Sequence, residues 1–469
     1  MEFYNSFGRF GDKMAFLDDR GQAITYQELD LFSEQLGGML KERTLAYCLC
    51  ENSVGAASGY LSFLANRVVP LMLDRKIDPS LLCHLLERYR PRWLYYPADM
   101  RDAFPQFQIL SERFDYILAE DPEAAEIPLY EELGLLLTTS GSTGSPKFVR
   151  QSYRNIQSNA ESIAAYLELN DTERPVSTLP MNYTYGLSVI NSHVLVGATV
   201  LLTDRSMLMK QFWDFMKGEK ATSFAEVPFT YELLKKVRFF RMDLPDLRYM
   251  TQAGGKLSPE LHREFAEWSM EHGKKFIVMY GQTEATARMG YLPAEQSLAK
   301  YGSMGREIPG GRFRLIDVDG SEITEPERVG ELVYEGENVT LGYAECPGDL
   351  QKGDERGGTL LTGDMAKRDA EGYYYIVGRK KRFLKIFGNR VNLDEVDRLI
   401  KETFENLDCA SAGVDDRMKT FITDASAIDA VRQYLSATTH LSESAFDVRY
   451  IPEIPKNEAG KTLYKELPA

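Results

Sequence analysis

Leu135-Leu136-Leu137-Thr138-Thr139-Ser140-Gly141-Ser142-Thr143-Gly144-Ser145-Pro146-Lys147 is the stretch on which the reading of this chain turns. The three leucines predict a buried strand, and that strand empties directly into a loop of hydroxyls and glycines closed by a lysine. Glycines let a backbone come close to an anion, amides and hydroxyls donate to its oxygens, and a lysine offsets its charge. The loop is not a Walker A sequence, because no glycine directly precedes Lys147 and neither Ser nor Thr follows it. A flexible polar linker has a similar composition, but linkers rarely begin at the end of a buried strand.

The same plan recurs outward from this loop. Phe276 to Met279 reads as a short apolar strand ending at Tyr280-Gly281-Gln282-Thr283-Glu284. There an aromatic ring can lie against a base, a hydroxyl can meet phosphate and a carboxylate can hold Mg²⁺; alone, the segment reads equally well as a structural turn. Thr25 stands three residues before Glu28, a capping box, and Leu29, Phe32, Leu36 and Leu40 follow at helical spacing. Leu187 to Val196 reads as a helix stopped at Gly197, with Ala198 to Leu202 a strand after it. Strands alternating with helices predict an α/β fold of layered, mostly parallel sheets with its site at the strand C-terminal ends.

After about residue 340 glycine loops become frequent, and Thr362-Gly363-Asp364 offers a carboxylate able to accept from ribose hydroxyls. Gly372 to Val377 reads as a strand, followed by a basic break, Gly378-Arg379-Lys380-Lys381-Arg382. A helix is expected from Asn392, with Glu395 completing a capping box and Val396, Leu399, Ile400 and Phe404 on one face. The expected organisation is a large domain over 1–378 and a small C-terminal domain over 379–469.

Composition sets the outer bounds. The chain has 469 residues, 43% hydrophobic and 27% charged, enough for a sizeable core and too long for one small module. Lys+Arg 55 against Asp+Glu 70 gives a net charge of −15, which argues against nucleic-acid binding. Five cysteines without a CxxC pair predict neither a disulfide scaffold nor a zinc half-site. The residues after Met1 show no leader pattern, and the apolar run Val194 to Leu202 is too short to cross a bilayer, so a cytoplasmic setting is expected.

Taken in order, these segments resemble the adenylate-forming superfamily: acyl-CoA synthetases, adenylation domains of non-ribosomal peptide synthetases, D-alanine–carrier protein ligases and beetle luciferases. The resemblance extends over nearly the whole chain through Ile24 to Leu29, Ala253-Gly254-Gly255-Lys256-Leu257, Gly330-Glu331-Leu332, Gly378-Arg379, Lys385 with Gly388, and Gly460-Lys461. It implies an ATP- and Mg²⁺-dependent acid–thiol ligase that forms an acyl-AMP, then passes the acyl group to CoA or to a carrier protein's phosphopantetheine. Thr139, Ser140, Gly141, Ser142, Thr143, Gly144 and Lys147 would form the triphosphate loop. Tyr280 would pack on adenine, Gly281 and Gln282 would belong to the nucleotide site, and Gly254 and Gly255 would lie along the adenine and acyl walls; Thr283 would touch the α-phosphate and Glu284 would ligate Mg²⁺. Asp364 and Arg379 would hold the ribose. The small C-terminal domain would be a mobile α+β lid whose Lys461 bridges the acid and the α-phosphate; Lys381 would be the hinge, and Lys385 and Gly388 would line the thiol approach.

The acyl wall departs from the family pattern. It is expected from Tyr183, Tyr185, Gly186, Ala253 and Arg288; Tyr183 stands where many acyl-CoA synthetases have His, and Thr184 where amino-acid-activating relatives have Asp. Without that Asp a buried ammonium is costly, which favours a short or medium carboxylic acid over an amino acid. An amino-acid-activating or amide-forming adenylate ligase is the enzymatic alternative, and a non-catalytic acyl-nucleotide-binding regulator the alternative of another class. Arg288 is expected either to meet a second polar group on the acid or to serve a structural ion pair.

Overall fold

A computed structural model describes residues 2–468 except 41, 125, 139–146, 387–388, 415, 440, 458–459 and 461, and omits the side chains of 383, 385, 389 and 390. The chain folds as two compact units, 1–312 with 334–360, and 313–333 with 361–469.

The first unit is built on two large sheets. One runs in the order Gly342–Ala344, Phe148–Ser152, Leu133–Thr138, Val69–Asp74, Leu45–Cys50, Trp93–Pro97, Tyr116–Glu120, Gln108–Arg113. Its middle strands are parallel. The other has a parallel run through Lys275–Tyr280, Tyr249–Gln252, Ser223–Glu226, Pro175–Ser177, Val200–Leu202 and Met14–Asp18, with antiparallel strands at both edges. This is the expected α/β plan, trimmed by antiparallel edges.

The helices explain how the sheets share one core. Val54–Ala65 is apolar on every side and buried from Val54 to Leu64, as a helix between two layers must be. Thr184–Leu195 is likewise buried almost throughout, and Tyr60 OH donates to Asn191 Oδ1 at 3.1 Å to join the two. One cluster takes Phe16 and Val200 from one sheet and Cys48, Met72 and Leu137 from the other.

Local signals agree with the elements they specify. Thr25 and Glu28 form the capping box that opens Tyr26–Met39. Gly197, at φ 75°, ends the helix before Val200–Leu202. Ser152 and Asn155 form a second box at the start of Tyr153–Tyr166. The strand Leu133–Thr138 pairs antiparallel with Phe148–Ser152, Thr138 opposite Phe148, so the hydroxyl-rich segment joins two neighbouring strands. All five cysteines are free.

The second unit carries a five-stranded sheet that includes Thr359–Arg368 and Tyr374–Arg379. It also holds a three-stranded sheet, Cys409–Val414, Arg417–Ile422 and Phe446–Tyr450, whose core is shared with the helices Leu393–Thr403 and Ile428–Thr439 through Val396, Ile400, Val431 and Leu435. Asn392 caps the first helix by accepting from Asp394 N at 3.0 Å, and Glu395 turns to Arg398 instead of closing the expected box. No helix among the described residues is long and apolar enough to cross a membrane.

Candidate active site

The strand Lys275–Tyr280 delivers the first group of candidate residues. Past its end the chain reverses tightly: a Cβ on Gly281 would sit 1.6 Å from the Ala287 carbonyl oxygen, so only glycine fits. Thr286 and Ala287 complete the reversal at φ 54° and 101°, conformations that side chains rarely adopt and that cluster at functional sites. Tyr280 is half-buried, and its hydroxyl accepts from Gln282 Nε2 at 3.3 Å.

Glu284 is fixed at both ends. Its backbone carbonyl accepts from Thr340 N at 3.0 Å, from Thr340 Oγ1 at 3.0 Å and from Arg356 Nη1 at 3.1 Å. Its carboxylate Oε1 accepts from Tyr343 OH at 2.6 Å. Burial, then the neighbouring carboxylate, pushes the Tyr343 phenol up to about 12, so it remains a donor. Among the described residues no Lys, Arg or His nitrogen lies within 4.0 Å of this carboxylate. A hard oxygen ligand held in place yet uncompensated suits Mg²⁺, which takes one or two carboxylates and keeps its waters. Gln151 Nε2 reaches Thr283 O at 3.5 Å. Lys147, whose Nζ is 2.5 Å from Glu345, sits 5.9 Å from the centroid of the Tyr343 ring.

The expected acyl wall is gathered beside the neighbouring strands. Tyr183 and Tyr185 meet edge to face at 6.3 Å, and Tyr185 OH is 2.9 Å from Thr251 Oγ1. Gly254, at φ 84°, leaves no room for a Cβ, which would lie 2.6 Å from Tyr183 OH; Gly255 O accepts from Gln252 Nε2 at 2.9 Å. Gly186 backs onto the carbonyls of Leu179 and Pro180, and Ala253 is buried at the end of Tyr249–Gln252. Arg288 is buried beside Tyr185, 5.0 Å from its ring centroid, and takes no part in an ion pair among the described residues. No structural ion pair of Arg288, the other option for it, is found among the described residues.

The second unit brings together Asp364 and Arg379. They stand opposite each other on paired antiparallel strands, Arg379 Nε 3.2 Å from Asp364 Oδ1, with Asp364 buried and Arg379 largely exposed. The basic run beyond them is not uniformly solvated. Lys380 Nζ pairs with Glu331 at 2.6 Å, Lys381 is exposed in a single 3₁₀ turn, and Arg382 is partly buried, its side chain 11% exposed. Arg382 donates to Asp394 at 2.8 Å and Asp397 at 2.7 Å, and lies 3.8 Å from the Tyr464 ring centroid.

Thr139, Ser140, Gly141, Ser142, Thr143, Gly144, Gly388 and Lys461 lie outside the described residues, as does the side chain of Lys385, whose backbone belongs to the strand Phe383–Ile386. On either side of position 461, Lys456 bridges antiparallel to Thr462 and Leu463 N donates to Pro455 O at 2.8 Å. The sequence reading missed Tyr343, Thr340, Arg356 and Gln151. None belongs to a local motif, and the nearest signal was the hydroxyl-rich Thr340 to Tyr343 segment following Gly330-Glu331-Leu332.

Stacked, mostly parallel sheets that offer a strained aromatic–carboxylate turn at their strand ends make the frame of a nucleotide-using enzyme. The chain belongs to the AMP-binding enzyme family, whose profile matches residues 3–344. A sulfoacetate–CoA ligase of Cupriavidus necator is 29% identical over 342 residues, 71% of this chain and 66%, just under two thirds, of that relative. An indoleacetate–CoA ligase of Aromatoleum aromaticum is 29% identical over 379 residues, covering 77% of this chain and 71% of its own. The o-succinylbenzoate CoA synthetase of Bacillus subtilis, solved with its acyl-adenylate intermediate, superposes with a TM-score of 0.78 at 20% identity over 99% of this chain and 97% of its own. At that identity it speaks to the fold.

Proposed function

We propose that the chain is an ATP-dependent acid–thiol ligase that converts a carboxylic acid to an acyl-AMP with release of pyrophosphate, then transfers the acyl group to a thiol. The observation that carries this reading is Glu284, a carboxylate without a cationic partner among the described residues, clamped by Tyr343, Thr340 and Arg356 one short turn beyond Tyr280. Two curated relatives are named as CoA ligases, which supports CoA as the acceptor; a carrier protein's phosphopantetheine is the other thiol this chemistry accepts. Their named acids differ, so neither is assigned to this chain.

Joining a carboxylate to ATP brings two anions together, so the enzyme's main task is neutralisation and in-line placement. Glu284 would hold Mg²⁺, which would supply positive charge to offset the triphosphate. The hydroxyls and amides of Thr139 to Gly144 and the ammonium of Lys147 donate to the triphosphate; Tyr280 packs on adenine, and Thr283 meets the α-phosphate. Asp364 accepts from the ribose hydroxyls, and Arg379, its partner, holds it in place. Lys461 donates to both the acid and the α-phosphate. Reorientation of 379–469 about Lys381 then admits the thiol past Lys385 and Gly388.

The test is ATP–pyrophosphate exchange over a panel of carboxylic acids, followed by thioester formation with CoA. Acid-dependent exchange and acid-dependent consumption of CoA are expected. Nucleotide and acid binding without exchange for any acid would overturn the reading in favour of a regulator.

A further inference from the structure

Arg288 is the most anomalous charge in the first unit. The reversal at Thr286 and Ala287 turns it inward, and its backbone is locked there, its carbonyl accepting from Asn159 Nδ2 at 2.9 Å and Asn338 Nδ2 at 3.0 Å. The side chain is 2% exposed. Its guanidinium donates to Ser188 Oγ at 3.2 Å and to Tyr166 OH at 3.1 Å, and Nη1 lies 3.2 Å from Met279 Sδ.

The described titratable groups around it are neutral. Burial raises the phenols of Tyr166, Tyr185 and Tyr249 above their ordinary value, so none is a phenolate. Burial lowers His193, whose Nε2 is 3.0 Å from Tyr249 OH, to about 4, so it carries no charge near neutrality either. Among the described residues no carboxylate lies within 4.0 Å of the guanidinium. A cation taken out of water without an anion costs several kcal/mol, and native folds seldom carry one unpaired. The side chains that share its surroundings, Tyr185, Ser188 and Met279, border the wall formed with Tyr183 and Ala253. A cavity of about 10 Å³, room for one water, adjoins Ser188 and Thr286.

We propose that Arg288 is the counter-ion for a second acidic group on the substrate, so that the preferred acid carries an oxyanion, a second carboxylate or its equivalent, at the end remote from the carboxyl that is adenylated. The inference rests on the acid-activating reading above and narrows its substrate class. Guanidinium and oxyanion would form a charge-assisted pair shielded from water, with Tyr166 and Ser188 holding the fork in position. A neutral-tailed acid of equal length would leave the cation buried and unpaired.

The test compares matched acids in pyrophosphate exchange: malonate with propionate, succinate with butyrate, glutarate with valerate, and terephthalate with 4-methylbenzoate. In the wild-type enzyme the diacid of at least one pair is expected to exceed its neutral partner about a hundredfold in kcat/KM. Arg288→Met is expected to lower the diacid's kcat/KM far more than that of its neutral partner, removing the preference, and Arg288→Lys to restore part of it. If neither variant folds, the wild-type ratios alone still decide. Exchange supported by neutral acids and by no diacid would overturn this proposal while leaving adenylation intact. Equal losses for both members of a pair in Arg288→Met would overturn it as well. No exchange with any acid would instead defeat the adenylation reading, and this inference with it.

Discussion

Tyr343 and Glu284, 59 residues apart in sequence, are joined by a 2.6 Å hydrogen bond from phenol to carboxylate. The bond aims the carboxylate through a neutral donor, the kind of support that an outer-shell residue gives a metal ligand. Removing the donor in Tyr343→Phe should raise the Mg²⁺ concentration for half-maximal exchange about tenfold, with little change in thermal stability. A Mg²⁺ titration of pyrophosphate exchange reads this directly; an unchanged midpoint would separate Tyr343 from the metal.

The turn that presents Glu284 depends on a missing side chain. In Gly281→Ala the new methyl meets the Ala287 backbone oxygen, which no flexible side chain can yield. A loss of about 2 kcal/mol or more is expected in urea unfolding, with exchange lost too. A variant as stable and active as the parent would mean that the reversal relaxes at no cost.

Glu226 provides a pH signature. It is fully buried, accepts from Thr178 Oγ1, and burial pushes it up to about 7. Between the ordinary carboxyl value and about 7 the folded state holds a proton that the unfolded chain has released, so this group makes stability fall as pH rises through that window and level off above it. Glu226→Gln should remove that contribution, raising Tm relative to wild type at pH 8 and converging with it at pH 4. A constant difference in Tm across this range would show that Glu226 does not titrate as its burial dictates.

In the second unit Arg382 ties the basic run to the C-terminal tail. It follows Lys381 in sequence and lies against Tyr464, three residues beyond Lys461. Tyr464→Leu should lower the rate constant for acyl-AMP formation about tenfold while leaving KM for ATP within twofold, since a loosened support misplaces a reacting group without weakening nucleotide contacts. Stopped-time assays over ATP concentration distinguish this from a rise in KM, which would place Tyr464 in nucleotide binding.

The parts of this architecture that local chemistry dictates were readable in the sequence. The Thr25–Glu28 box, the stop at Gly197 and the two apolar strands entering polar loops each rest on neighbours within a few residues. Asn392 was readable as a cap, but Glu395 had two partners within reach and paired with Arg398. The basic run Arg379 to Arg382 shows why charge pattern alone misleads: Arg382 is partly buried and paired because Asp394, Asp397 and Tyr464 converge on it, and only tertiary structure brings them there. For the same reason Tyr343 and Arg356 carried no sequence signal, although they hold Glu284. Arg288 could be singled out by position, but its lack of an anionic neighbour emerges only from packing.

The central claim concerns Lys461, assigned to hold the acid and the α-phosphate together. Rapid-quench measurement of acyl-AMP formation in a single turnover, comparing wild type with Lys461→Ala at saturating ATP, Mg²⁺ and acid, tests it most directly. The account predicts a loss of about 10²- to 10³-fold or more in the rate of the adenylation step, with Tm unchanged. Acyl-AMP formed at the parental rate by a folded Lys461→Ala protein would contradict it.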